Sequence, residues 1–160
     1  MTSLDLLHSA LVLHIIGLTM VVGATLSDYV AFKQFWKQYR QDKQKGVAVL
    51  QALSRFPRII GIGFVIIILT GVTMMAIMHG AFGTQLWFRI KMIIVLLVIG
   101  GGLLVGRRNG IRLRTLVATD SAGTDQTQEL YKVKSRIGSF HIVQLLLFVL
   151  IFILSVFRFV

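Results

Sequence analysis

The side chains of this chain that could do chemistry are few, and they sit in apolar surroundings. Four histidines occur: His8, His14, His79 and His141. His14 lies within residues 6–26, an apolar run broken only by histidine and small hydroxyl side chains. A run of that length spans the hydrocarbon core of a bilayer, which takes about 20 helical residues. An ionisable group at such depth is costly and defaults to a functional role. Two roles suit an imidazole there. It can bond to a neighbouring helix, or it can serve as an axial ligand to haem or another metal. His8 is six residues earlier, about 120° away around the helix at ~100° per residue, so the two do not share a face. Asp5 precedes His8 by three residues and can pair with it.

Three further groups draw attention. Met74-Met75-Ala76-Ile77-Met78-His79 ends the second apolar run, and on a helix Met75, Met78 and His79 share a face. Thioether with imidazole suits Cu(I), which makes copper an alternative cofactor; such a run is also a flexible packing surface. Leu86-Trp87-Phe88-Arg89-Ile90-Lys91 opens the third run. Arg89 can snorkel outward. Lys91 lies deeper, about one turn inside the span; it can snorkel too, or its ammonium can take an anionic partner. His141 and Gln144 are one turn apart near the start of the last run, and both can face a bundle interior.

The elements that must position these groups follow from composition. The chain has 160 residues, of which 56% are hydrophobic, and its mean hydropathy is +0.82. We expect an all-α fold: a membrane-embedded, up-down bundle of four helices. One transmembrane domain covers 1–160, with spans at about 6–26, 59–78, 87–106 and 137–157. Ser3 can cap the first helix, with Asp5 in its first turn. Pro57, the only proline, suits the start of the second helix. His14, Gly17, Val21, Thr25 and Asp28 fall on one stripe of the first, and Gly17 leaves room for a flat ligand or a close helix. Gly100-Gly101-Gly102 and Gly106 let neighbours approach closely, and such faces would allow a homodimer.

The net charge of +11 is concentrated in two stretches. Residues 29–58 hold Lys33, Lys37, Arg40, Lys43, Lys45, Arg55 and Arg58. Phe32, Phe35, Trp36 and Tyr39 recur among them, as in an amphipathic helix at a membrane surface whose cations meet lipid phosphates. Gly46 is expected to end it. Residues 107–136 hold seven more cations around a polar stretch, 119–128, expected to be mobile. Only Arg89, Lys91 and Arg158, which anchors the far end of the last span, lie toward the other side. The positive-inside rule then puts both basic stretches in the cytoplasm and both termini outside the inner (plasma) membrane. His8, His14, His79, Arg89 and Lys91 gather in the outer half, and His141 stands alone near the inner surface. No basic n-region or A-x-A site marks a cleaved signal peptide.

Exclusions are equally direct. Cysteine is absent, which removes disulfides, thiolate ligation and iron–sulfur clusters. No Ser-His-Asp set, HExxH, phosphate loop or nucleic-acid motif occurs, so nucleic acid is not an expected partner and the basic charge reads as topology.

Leu13-His14-Ile15-Ile16-Gly17 resembles the opening helix of HemJ-type protoporphyrinogen oxidases. Trp87-x-x-x-Lys91 resembles the tryptophan–lysine pair at the start of that family's third helix. Arg136 before the last span, the length and the order of spans also agree. The resemblance covers most of the chain, through short motifs. It implies a membrane b-haem oxidoreductase that oxidises protoporphyrinogen IX to protoporphyrin IX and passes electrons to an acceptor the sequence does not name. His14 would ligate the iron. Lys91, in the place of the family's critical lysine, would be catalytic and would hold a carboxylate of haem or of a porphyrin-like substrate. Apart from the resemblance, His79 and Lys91 reach from adjacent helices at similar depth and could complete the site or bind substrate carboxylates, with Arg89 and His141 as further cofactor-binding candidates. The chain departs from the family twice: Phe140-His141-Ile142-Val143 stands where the family has Asn-Glu-x-Pro, and Arg89 replaces a histidine. The neighbouring families are CopD-like copper-handling membrane proteins and, further off, superoxide oxidases and other cytochromes b.

Overall fold

In the computed structural model, residues 2–79, 81 and 83–157 are described. Arg158, the expected anchor, lies outside them, as do Gly80 and Phe82 of the turn before the third span. Six α-helices make up four long rods: α1 (Ser3–Gln41), α2 (Lys43–Leu53), α3 (Phe56–Ile77), α4 (Leu86–Gly101), α5 (Arg107–Ser121) and α6 (Thr127–Val156). Each of the four rods carries a window apolar enough to cross a membrane. The fold is all-α, an up-down bundle of four membrane helices.

α1 starts one residue earlier than expected. Thr2 is the N-cap, its hydroxyl accepting from the Asp5 N–H at 3.2 Å while the Asp5 carboxylate accepts from the Thr2 N–H at 2.8 Å. This capping box occupies Asp5, so the expected pairing with His8 does not form. Pro57 does sit in the first turn of α3, where its missing N–H costs nothing. The helix ends before the methionine–histidine motif is complete. Met78 is the C-cap, and His79 takes a left-handed backbone, φ 50°. Met75, Met78 and His79 therefore do not share a helix face.

Inside the apolar zone, α1 and α3 touch through glycine. A Cβ on Gly63 would lie 2.6 Å from Val21 Cγ2 and 3.0 Å from the Gly17 carbonyl oxygen. Of the two uses foreseen for Gly17, the close helix is the one realised. From this contact Val21 reaches into one core with Ile94, Val98, Phe148, Ile151 and Leu154. Gln144 Nε2 donates to the Val98 carbonyl at 3.1 Å, joining α6 to α4. α4 and α5 form one rod through a π-helical turn, Gly102–Gly106. The Phe140 ring is seated there, 3.4 Å from where a Cβ on Gly101 would be and 3.1 Å from one on Gly106. An i→i+5 turn widens a helix locally, and glycine leaves the space that the ring fills.

The two basic stretches are not loops. α1 has 39 residues, about 58 Å at 1.5 Å per residue, roughly twice the hydrocarbon thickness. Its far half projects beyond the membrane beside α2, α5 and the start of α6. Phe32, Phe35, Trp36 and Tyr39 do not face lipid. They are buried with Leu50, Leu53, Leu113, Val117, Leu130, Val133 and Ile137 in a second core. Gly46 does not end a helix either; it lies within α2, where a Cβ would meet Tyr39 at 2.7 Å. The helix breaks instead at Asp42, whose carboxylate caps α2 through the N–H groups of Gln44 and Lys45. The polar stretch 119–128 is tied to the helices around it through Asp120. Asp120 is buried. It accepts from the Tyr39 hydroxyl at 2.5 Å, pairs with Lys43 at 2.9 Å and accepts from the Gln126 N–H at 3.3 Å. These bonds tie α1, α2, α5 and the start of α6 together.

Candidate functional site

The expected site residues separate into two polar places within the bundle. The first is at the end carrying the N-terminus. His14 lies eleven residues into α1 from Ser3, about 17 Å along the axis. Its Nδ1 is 2.8 Å from Thr70 Oγ1 on α3. A threonine hydroxyl has a single proton, and Thr70 Oγ1 has two carbonyls of its own helix in reach, Ile66 at 2.6 Å and Ile67 at 3.2 Å. With its proton on Ile66, Thr70 Oγ1 accepts from His14 Nδ1, the arrangement of the Nδ1–H tautomer. The Ile67 carbonyl, an acceptor only, also lies beside the ring. Nε2 makes no hydrogen bond among the described residues and is left with its lone pair. The ring rests against Gly71, where a Cβ would come within 3.6 Å of Cε1.

Lys91, on α4, is half-buried and close enough for its charge to act on the His14 ring. Among the described residues no carboxylate or hydrogen-bond acceptor pairs with it. Arg89 is exposed, and its Nε donates to the Gly83 carbonyl at 3.2 Å, which holds it at the turn. His79 is exposed on that same turn, and His8 is exposed near the start of α1. The fold thus brings His14 and Lys91 toward each other and leaves Arg89, His79 and His8 at the rim.

The second place lies at the basic end. His141 is buried, but it is not alone there: its Nε2 is 3.0 Å from Asp28 Oδ2. Its Nδ1 is 2.9 Å from the Ile137 carbonyl. A carbonyl only accepts, so Nδ1 carries a hydrogen. One further proton then lies between Nε2 and the Asp28 carboxylate. Tyr29, Phe32 and Phe140 stand around the ring. Both nitrogens are engaged, so His141 does not join His14. The Asp28–His141 pair was missed from the sequence because 113 positions separate the partners. Its signal was the stripe from His14 to Asp28, which runs down the buried side of α1.

For a haem, this donor set supplies one axial nitrogen, His14 Nε2. The arrangement matches the usual state of a ligating histidine, whose other N–H is held by an oxygen. Lys91 adds a cation of the kind that holds a carboxylate. No cluster of three or more His, Asp or Glu side chains able to hold a metal occurs among the described residues.

A family model described as "Predicted integral membrane protein (DUF2269)" matches residues 9–159. The chain belongs to this family. Its members are thus described as integral membrane proteins, in accord with four apolar rods and two intramembrane polar pairs. Searches of curated proteins and of solved structures find no match.

Proposed function

We propose that this chain is a membrane redox protein that holds b-type haem through His14 Nε2 and uses Lys91 to bind a porphyrin carboxylate. The observation that carries the reading is the Thr70–His14 bond. The bond suits the Nδ1–H tautomer of the neutral imidazole, in which Nε2 keeps its lone pair inside the apolar zone. When bound, a b-type haem supplies one-electron iron chemistry. The chain's own residues do three things. His14 would hold the iron through Nε2, Thr70 orients the imidazole, and Lys91 supplies the positive charge for a carboxylate.

The resemblance of residues 13–17 and 87–91 to HemJ-type proteins gives the substrate class: a porphyrinogen, oxidised to porphyrin with electrons passed to an external acceptor. Lys91 would anchor a propionate of substrate or haem. The unequal distribution of basic residues supports a cytoplasmic basic end, with both termini outside the inner membrane.

Haem content of purified variants tests the assignment. His14→Ala should lose most of the haem per protein, and His8→Ala should keep it. The reverse result would place the ligand on the wrong histidine. A colourless protein that bound Cu(I) stoichiometrically under anaerobic titration would replace haem by copper.

A further inference from the structure

Basic side chains at the cytoplasm-facing end of a membrane protein are common, and most are solvated or paired. Here four of the fourteen cations in residues 29–58 and 107–136 are in ion pairs among the described residues and ten are not, and four of those ten gather in one place. Lys43 pairs with Asp120, Lys45 with Asp42, and Arg112 and Lys132 both pair with Glu129. Lys33, Lys37, Arg40 and Lys134 have no carboxylate within ion-pair distance among the described residues. These four line one groove of about 730 Å³ between the projecting part of α1 and the start of α6. No acidic side chain lines it.

The rest of the wall is aromatic. Lys33 Nζ stands 4.5 Å from the Tyr29 ring centre. Lys134 Nζ stands 5.3 Å from that of Trp36 and 5.9 Å from that of Tyr131. Arg40 Nη2 donates to the Tyr131 hydroxyl at 3.4 Å. Rings hold the cations in place without neutralising them. Trp36 is 7% exposed, and its indole N–H is a buried donor with no acceptor. That N–H is enclosed and is not offered to the groove; the four unpaired cations are, and together they suit an anion with several oxygens. The groove begins at Tyr29, three residues past the first span and about 5 Å beyond its end, which is the depth of lipid headgroups.

We infer that this groove is a specific site for the headgroup of an anionic phospholipid from the leaflet at the basic end. The phosphate meets Lys33 and Lys134 at the membrane end of the groove, the polar part of the headgroup reaches along it toward Lys37 and Arg40, and the acyl chains run down the apolar surface of α1 and α6. The aromatic lip at Tyr29 and Tyr131 suits the interface between headgroup and chain.

The test uses full-length protein in a neutral detergent, titrated with short-chain phosphatidylglycerol and followed by tryptophan fluorescence. A Trp87→Phe background leaves Trp36 as the reporter. The expected result is saturable binding near one lipid per chain, with phosphatidylcholine bound about tenfold more weakly or worse. Lys37→Gln/Arg40→Gln/Lys134→Gln should weaken phosphatidylglycerol binding about tenfold or more. Arg55→Gln/Arg107→Gln/Arg108→Gln removes as much charge outside the groove and should leave binding within about twofold. Equal weakening in the two triple variants would overturn the site in favour of general surface charge. Inorganic phosphate competing as well as the lipid would overturn the lipid assignment. Should the groove triple variant fail to fold by circular dichroism and gel filtration, Lys37→Gln alone, an exposed change, must still weaken binding; unchanged affinity there contradicts the inference.

Discussion

Thr70 is the residue on which the chemistry of His14 turns. With its proton on Ile66, its hydroxyl accepts from the imidazole Nδ1. Thr70→Val keeps the shape and removes the acceptor. Loss of such an outer partner typically costs 10- to 100-fold in metal affinity, so Thr70→Val should retain haem about that much more weakly, measured by transfer of haem to apomyoglobin. Retention equal to the unaltered chain would show that the bond does not orient a ligand. Lys91 poses the complementary question. Its unpaired ammonium within a span costs on the order of 3 kcal/mol on insertion scales, and a bound carboxylate would offset that. Lys91→Met should keep the fold, because methionine suits a span, and should weaken porphyrin binding, whereas Arg89→Met, at the turn, should matter less. Unimpaired binding and turnover in Lys91→Met would show that the side chain only snorkels. The depth of His14 and Lys91 was legible in the sequence, because an ionisable residue in an apolar run stands out without any knowledge of its neighbours. Thr70 was not, since an intramembrane threonine ordinarily bonds its own helix, as Thr25 does to the Val21 carbonyl. Asp28 was placed at the correct end but not with His141, because one helix's periodicity does not say which residue of another it meets.

Helix boundaries and helix contacts show the same division. Gly63 meets Val21 and the Gly17 carbonyl so closely that a methyl group has no space. Gly63→Ala should therefore destabilise the bundle by about 1–3 kcal/mol through overpacking. A Cβ on Gly61 would meet nothing within 4 Å, so Gly61→Ala should be nearly neutral. Thermal unfolding of the two variants in detergent decides it, and equal behaviour would refute the crossing. His79 gives a test of opposite sign. A left-handed backbone costs a residue bearing a Cβ about 1–2 kcal/mol and glycine little. His79→Gly should raise stability and leave cofactor content unchanged; loss of haem in this variant would return His79 to the site. The four spans could be read from length and hydropathy alone. Of the segments beyond the membrane, the helical spacing of residues 29–58 was visible but not its packing into a second core, and residues 107–136 resemble a solvated loop in charge density. The aromatic residues at helical spacing were visible, but periodicity alone does not tell a protein partner from a lipid one.

The molecule as a whole has a membrane half held by close helix contacts and a projecting half held by a core of its own. Tyr39, Asp120 and Lys43 lock the projecting half, and their titration sets its pH limits. Hydrogen bonds from Tyr39 and then Lys43 hold the Asp120 carboxyl below its usual range. Its contribution to stability is present above the ordinary carboxylate range and is lost as the pH falls through the depressed value. Burial, and then the bond to Asp120, push the Tyr39 hydroxyl up to about 12. That contribution is complete below the usual tyrosine value of about 10 and is lost as the pH rises through about 12. Tyr39→Phe should cost about 1–3 kcal/mol at neutral pH, because it leaves Asp120 with one partner fewer, and should abolish the alkaline loss. Chemical denaturation across the pH range measures both, and an unchanged alkaline limit would remove Tyr39 from the lock. All of these packing arguments concern a scaffold; the central claim is that the scaffold holds haem at His14. An absorption spectrum of the purified protein, first oxidised and then reduced with dithionite, tests that most directly. A Soret band with the reduced α and β bands of b-type haem is the predicted result, and a colourless protein from cells supplied with haem precursor would contradict it.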